Sequence, residues 1–206
     1  MGHNVAALVR LMLVTDDDLV AGRDPVALAL AAERGGASSV QLRLKRASTR
    51  AQVALTRRLV ETLSIPVLVN DRPDVALAAG AAGVHLGPDD VPVGLVRGIA
   101  PPGFLIGASV GSEAEAGAAD AADYWGIGPW RASGTKRDAG AGLGAEGFGR
   151  LLRLAGGRPC LAIGGLRPED VRDVVAAGGS GVAVVSGILG ELDVQRATAN
   201  YAQALS

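Results

Sequence analysis

The strongest constraint on this chain is a unit that recurs along its length: a short apolar run rich in β-branched residues, then a longer stretch rich in Ala, Leu, Glu and Arg. The runs are Leu11–Val14, Val40–Leu44, Val67–Val69, Gly83–His85, Phe104–Ala108, Tyr124–Ile127, Cys160–Ile163 and Gly181–Val185. Helix-like stretches between them include Pro25–Arg34, Thr49–Leu63, Glu146–Leu154 and Pro168–Ala176. Asp24-Pro25 and Arg167-Pro168 place a proline where a first helical turn accepts it, and Ser112 ahead of Glu113 and Glu115 reads as a helix start. Gly35-Gly36, Gly80 and Gly178-Gly179 suit helix ends. Strand then helix, repeated, predicts a parallel α/β architecture, and nearly continuous apolar strands predict a sheet covered by helices. Spread over 206 residues, eight such units have about 25 residues each, which fits a compact (β/α)8 TIM barrel. An open doubly wound sheet would carry a Gly-rich phosphate turn after its first strand, where this chain has Val14-Thr15-Asp16-Asp17-Asp18. With no linker or composition break, the reading is one α/β domain over 1–206.

Composition removes whole classes of function. Gly (30 residues) and Pro (10) stay below the roughly 25–30% at which low complexity is the first reading. Aromatics are 3%, so the core must be built from Ala, Val, Leu and Ile, and the net charge is −1. A basic, aromatic nucleic-acid groove and a polybasic membrane surface are therefore not expected. Cys160 alone excludes a disulfide framework or a cysteine zinc site, and with only His3 and His85 any metal should be a hard cation held by carboxylates. Leu11–Val14 is too short for a signal-peptide core, and Ala6 stands where N-myristoylation needs a hydroxyl. The uncharged run Val174–Gly190 is broken by glycines and reads as helix end, turn and strand. The expectation is a soluble cytoplasmic protein with small phosphorylated molecules as partners; a homo-oligomer is left open.

In a (β/α)8 barrel the chemistry sits at the C-terminal strand ends. The second strand reads Val40-Gln41-Leu42-Arg43-Leu44-Lys45. Period-two alternation puts Val40, Leu42 and Leu44 toward the helices and Gln41, Arg43 and Lys45 into the barrel mouth. Cations placed there call for an anionic partner, and a diphosphate suits Arg and Lys. The competing reading is an edge strand with one solvated face. After the third strand come Asn70 and Asp71, the latter readable as a helix cap; after the fourth come His85, Asp89 and Asp90. Asp71 with Asp89 or Asp90, beside a diphosphate, is a donor set for Mg²⁺. His85 reads as a hydrogen-bonded mouth residue. Ser109 adds a hydroxyl, and the loop after the sixth strand adds Ser133, Thr135 and Lys136, with Trp130 over a ring or the barrel rim. Gly164-Gly165 and Ser186-Gly187 end the last two strands, the recurrent phosphate position of this fold. Gly87, Gly165 and Gly187 are read as places where backbone approaches ligand. Two anion sites on one mouth imply two phosphorylated substrates joined with loss of diphosphate.

Together, Gln41-x-Arg43-x-Lys45, Asn70-Asp71-Arg72, Gly83-Val84-His85-Leu86-Gly87 with Asp90, Gly128-Pro129, Ser133-x-Thr135-Lys136, Ala162-Ile163-Gly164-Gly165 and Val184-Val185-Ser186 resemble the thiamine-phosphate synthase family over almost the whole chain. The resemblance implies a barrel that joins hydroxymethylpyrimidine diphosphate to thiazole phosphate. It implies that Gln41, Arg43, Lys45, Asn70, Ser109 and Lys136 bind the pyrimidine diphosphate, with Arg43, Lys45 and Lys136 acting in catalysis. Asp71 and Asp90 would hold Mg²⁺, and Ser133, Gly134, Thr135, Gly165, Val185 and Ser186 would bind the thiazole phosphate. The chain departs from the family after the sixth strand. The family's Gly-Pro-(Ile/Val)-(Phe/Tyr)-Pro-Thr is here Gly128-Pro129-Trp130-Arg131-Ala132-Ser133. The nearest rival is a thiazole tautomerase on the same barrel, which needs neither diphosphate nor metal.

Overall fold

The structure is a computed structural model that describes residues 4–132 and 142–206. The strands are β1 (Leu11–Val14), β2 (Ser39–Leu42), β3 (Val67–Asn70), β4 (Gly83–Leu86), β5 (Leu105–Val110), β6 (Tyr124–Ile127), β7 (Cys160–Ile163) and β8 (Gly181–Val184). They are parallel neighbours in sequence order and close into a barrel, with β8 pairing back onto β1 through Leu11–Val182, Met12–Ala183 and Leu13–Val184. The helices are α1 (Val5–Leu8), α2 (Pro25–Arg34), α3 (Thr49–Thr62), α4 (Pro73–Ala79), α5 (Val93–Ile99), α6 (Glu113–Ala118), α7 (Gly144–Leu152), α8 (Val171–Ala176), α9 (Ser186–Leu189) and α10 (Val194–Ala204). The (β/α)8 expectation is therefore met, and the open sheet is excluded by closure.

Strand alternation splits the apolar residues into two cores. Leu13, Val40, Leu42, Val69, Val84, Ile106, Trp125 and Val182 face outward and pack under the helices. Met12, Val14, Leu68, Leu105, Tyr124, Leu161 and Ala183 face inward and fill the barrel axis. Leu8 and Val9, from α1 and its end, join that inner core at the N-terminal end of the strands. The hydroxyls of Ser38 and Ser39 both donate to the Leu8 carbonyl at 2.8 Å, tying this plug to the sheet.

Several start signals act as read. Asp24 caps α2 through Val26 N, Ser112 caps α6 through Glu115 N, and Gly80 ends α4 in the left-handed region. Other boundaries move. The second strand ends at Leu42 rather than Leu44, because Thr15 Oγ1 takes over the Arg43 backbone: it accepts from Arg43 N at 2.7 Å and donates to the Arg43 carbonyl at 3.2 Å. Arg167-Pro168 opens a 3-10 turn, Pro168–Asp170, and the α-helix starts only at Val171. Val174–Gly190 holds the end of α8, a turn, β8 and α9, and no helix among the described residues is long and apolar enough to cross a membrane. The final helix, α10, packs on α2 and seals the ring of helices at the β1–β8 seam.

That seal depends on Gly35, where an added Cβ would lie 2.4 Å from the Gln195 backbone oxygen and 2.7 Å from Thr198 Cβ. Backbone cannot rotate away as a side chain can. Gly35→Ala is expected to destabilise the fold by about 1–3 kcal/mol, the scale of overpacking, read as a lower urea midpoint with unchanged m-value.

Candidate active site

The C-terminal strand ends and the loops after them enclose a cavity of about 570 Å³. Its wall contains Gln41, Arg43, Lys45, Asn70, Asp71, Asp90, Ser109, Gly165, Val185 and Ser186. Ser133, Gly134, Thr135 and Lys136 lie outside the described residues.

One side of the cavity is cationic and its geometry is set from the β1 end. Gln41 is buried on the inner face of β2, with Nε2 3.4 Å from Met12 Sδ. Arg43 Nη1 donates to Asp16 Oδ2 at 3.1 Å. The Asp17 carboxylate accepts from the backbone N–H groups of Lys45 at 2.9 Å and Arg46 at 3.2 Å, which fixes the segment carrying both cations. Lys45 Nζ reaches across to Asp71 Oδ2 at 2.9 Å. The edge-strand alternative fails, since β2 is hydrogen-bonded on both sides, to β1 and to β3. Thr15, Asp16 and Asp17 were not picked out as site residues from the sequence. The available signal was an acidic run at the end of one strand, next to a strand whose inward face carries Arg and Lys.

Two carboxylates stand together beside the cations. Asp71 has φ +62°, a left-handed conformation that Asp tolerates better than most residues, and its N–H donates to the His85 carbonyl at 2.8 Å. The α4 cap position is Arg72, and Pro73 opens the helix, so Asp71 is not its cap. Both Asp89 and Asp90 line the cavity; Asp90 Oδ2 accepts from Gly87 N at 2.6 Å and is the less exposed of the two. Burial, then a hydrogen bond to Asp71, pushes the Asp90 carboxyl up to about 6; the Gly87 N–H and the Lys45 charge work against the rise. Among the described residues, the Lys45 charge does not offset the burial and mutual contact of this pair. Two carboxylates so placed fit a hard divalent cation that keeps several waters. Among the described residues there is no group of three or more His, Cys, Asp or Glu placed for a metal, so a closed protein cage is not what the site offers.

On the inner wall His85 is buried, with Nδ1 3.0 Å from Tyr124 Oη and Nε2 3.0 Å from Ser109 Oγ. It is the hydrogen-bonded mouth residue expected. Asn70 ends β3 on the same wall.

The opposite side is built from backbone. Gly164 (φ +99°) and Gly165 (φ +65°) turn the chain after β7, and Val185 and the short α9 follow β8. Gly187 has a different reason from the one expected: an added Cβ would lie 2.1 Å from Tyr201 Oη, whose hydroxyl donates to the Leu166 carbonyl at 2.8 Å. Packing against Tyr201 requires glycine there whether or not a ligand approaches. Trp130 is buried edge-on against Phe148, 5.8 Å between ring centres, so it belongs to the rim. Arg131 pairs with Asp170, which also accepts from Arg167 N at 2.8 Å. Trp130 and Arg131, which depart from the family's loop pattern, thus anchor the start of that loop in the helical layer.

A closed parallel barrel with cations, paired carboxylates and glycine turns converging on its C-terminal mouth defines an enzyme of the (β/α)8 class. The model of a family described as thiamine monophosphate synthase matches residues 11–188, and the chain belongs to that family. A thiamine-phosphate synthase of Methanoculleus marisnigri is 49% identical over 193 residues, covering 91% of this chain and 90% of the relative. A thiamine phosphate pyrophosphorylase structure from Pyrococcus furiosus superposes with a TM-score of 0.86 at 34% identity, covering 98% of each chain. A 3-hexulose-6-phosphate synthase, at 15% identity, shares the fold with a TM-score of 0.70 over 96% of this chain and 100% of that one. The chain is accordingly a transferase of thiamine biosynthesis.

The raised Asp90 has a consequence for stability. In metal-free buffer the folded chain holds a proton there that the unfolded chain releases at its ordinary value of 3.8, so this group's contribution weakens as pH rises from 3.8 through about 6. Asp90→Asn removes the titration. Its urea midpoint relative to wild type should climb across that window; a constant offset would contradict the assignment.

Proposed function

We propose that this cavity condenses 4-amino-2-methyl-5-(diphosphooxymethyl)pyrimidine with thiazole phosphate, or with its carboxylated form and loss of CO2, giving thiamine phosphate and diphosphate. The carrying observation is that cations with a carboxylate pair face glycine turns across one cavity, room for a diphosphate on one side and a monophosphate on the other. Gln41, Arg43, Lys45, Asn70, Ser109 and Lys136 bind the pyrimidine diphosphate, and Ser133, Gly134, Thr135, Gly165, Val185 and Ser186 bind the thiazole phosphate.

The one hydroxyl–imidazole pair described in the cavity, Ser109 with His85, is assigned here to substrate binding, so the chain's contribution is positioning and charge stabilisation. The C–O bond of the pyrimidine's methylene group breaks with its electron pair leaving on diphosphate, and the thiazole nitrogen lone pair then forms the C–N bond. Arg43, Lys45 and Lys136 stabilise the departing charge. Asp71 and Asp90 would hold Mg²⁺, which when bound neutralises diphosphate oxygens. The reading includes a cytoplasmic enzyme of one domain over 1–206, with neither nucleic acid nor membrane as partner.

The test is release of diphosphate from both substrates with and without Mg²⁺. Mg²⁺-dependent release is expected; release that ignores Mg²⁺, or none, overturns the reading. Asp71→Ala and Asp90→Ala should each lower turnover on the order of 100-fold or more, while circular dichroism stays that of wild type. Arg43→Ala should chiefly raise KM for the diphosphate substrate. A rise confined to the thiazole would show the two anion sites assigned the wrong way round.

A further inference from the structure

Three inward residues on neighbouring strands form one hydrogen-bonded row: Tyr124 on β6, His85 on β4 and Ser109 on β5. Their rings occupy space left by glycines in the strands. A Cβ at Gly107 would lie 2.1 Å from Tyr124 Cζ, and one at Gly126 would lie 3.1 Å from His85 Cε1. Glycine inside a strand loses packing and entropy, so its use at two adjoining inward positions marks a close approach that the fold preserves.

Proton counting along the row gives it a direction. Tyr124 is fully enclosed in the inner core, and burial raises its phenol well above the ordinary value, so the oxygen carries its proton. Among the described residues the one acceptor facing that O–H is His85 Nδ1, at 3.0 Å. Protonating Nδ1 would turn the phenol proton toward Met12, Leu68, Leu105 and Leu161, with which Tyr124 packs. Nδ1 therefore accepts, and the neutral imidazole carries its proton on Nε2. That N–H donates to Ser109 Oγ at 3.0 Å. The serine oxygen being occupied as acceptor on that side, its own proton points away from the imidazole, and Ser109 lines the cavity.

We infer that Tyr124 is a positioning residue which, by fixing the His85 tautomer, presents Ser109 to the cavity as a hydrogen-bond donor. The atom that Ser109 meets is then an acceptor, and under the proposed reaction, on which this last step rests, it is an oxygen of the diphosphate. A donor aimed at developing negative charge acts mainly in the transition state, so its loss falls on kcat rather than KM.

The chain's two histidines make the experiment direct. Protein labelled with ¹⁵N-histidine gives two ring patterns, and His3→Asn assigns the one from His85. The wild type should show His85 with Nε2 protonated and Nδ1 bare at neutral pH. Tyr124→Phe keeps the ring over Gly107 but removes the proton; His85 should then lose its single tautomer. In the same variant kcat for diphosphate release should fall about tenfold, the scale of one hydrogen bond, with KM for the diphosphate substrate within about twofold. Ser109→Ala should match that loss, and the double variant should be no slower than either single one. A wild-type spectrum with Nδ1 protonated overturns the inference, even if Tyr124→Phe does not fold. So does a folded Tyr124→Phe with an unchanged tautomer and kcat. Wild-type protein without turnover overturns the proposed reaction instead, and the spectrum still decides the tautomer.

Discussion

An eight-stranded parallel barrel closed in sequence order gives each strand one face toward the axis and one toward the helices, and this alternation decides where the side chains within the strands can stand. Inward positions low in the barrel are taken by Met12, Leu68, Leu105, Tyr124 and Leu161, with Leu8 and Val9 closing the lower end. The same inward rows continue to the mouth as Gln41, Asn70, His85, Ser109 and Val185. The inward polar residues that face open space thus stand where the barrel opens, while Ser39 at the closed end spends its hydroxyl on the Leu8 carbonyl. A slip of one residue in β2, β3 or β4 would turn Gln41, Asn70 or His85 under the helices and point an apolar neighbour at the cavity.

The charges at the mouth hold one another before any substrate arrives. Asp16 holds the Arg43 side chain, Asp17 the backbone of Lys45 and Arg46, and Lys45 bridges to Asp71, which stands next to Asp90. A cationic site for a diphosphate gains most when its donors are oriented in advance, because little reorganisation remains for the moment of bond breaking. The carboxylates that orient these cations also weaken their net field. The cost falls on Asp90, whose carboxyl is pushed up to about 6 by burial and then by its contact with Asp71.

Much of this was readable in the sequence because it follows from short-range periods. The strand repeat, the inward place of Gln41, the pairing of Asp71 with a carboxylate of the next loop, and the glycine turns after β7 and β8 come from period-two alternation and the position of polar residues at strand ends, whereas Arg43 and Lys45 lie beyond the end of β2 and reach the cavity from a segment that Thr15 and Asp17 hold. The Arg167-Pro168 start was displaced to Val171 because Asp170 turns back to accept from Arg167 N, closing a 3-10 turn first. What was not readable depends on contacts between distant residues. Asp16 and Asp17 acquire roles only when β1 lies beside β2, Gly187 only when α10 brings Tyr201 against it, and Trp130 only when α7 supplies Phe148. The choice between Asp89 and Asp90 likewise turns on the local bond from Gly87 N.

The proposed reaction requires two anion sites of different construction on one mouth, a cationic one assisted by a metal and one built from backbone. A crystal structure of the protein soaked with Mg²⁺ and inorganic diphosphate tests it most directly. Diphosphate is expected against Arg43 and Lys45, with a metal ion at Asp71 and Asp90. Diphosphate seated instead on Gly165 and Ser186, or bound at Arg43 with no metal at the carboxylate pair, would contradict it.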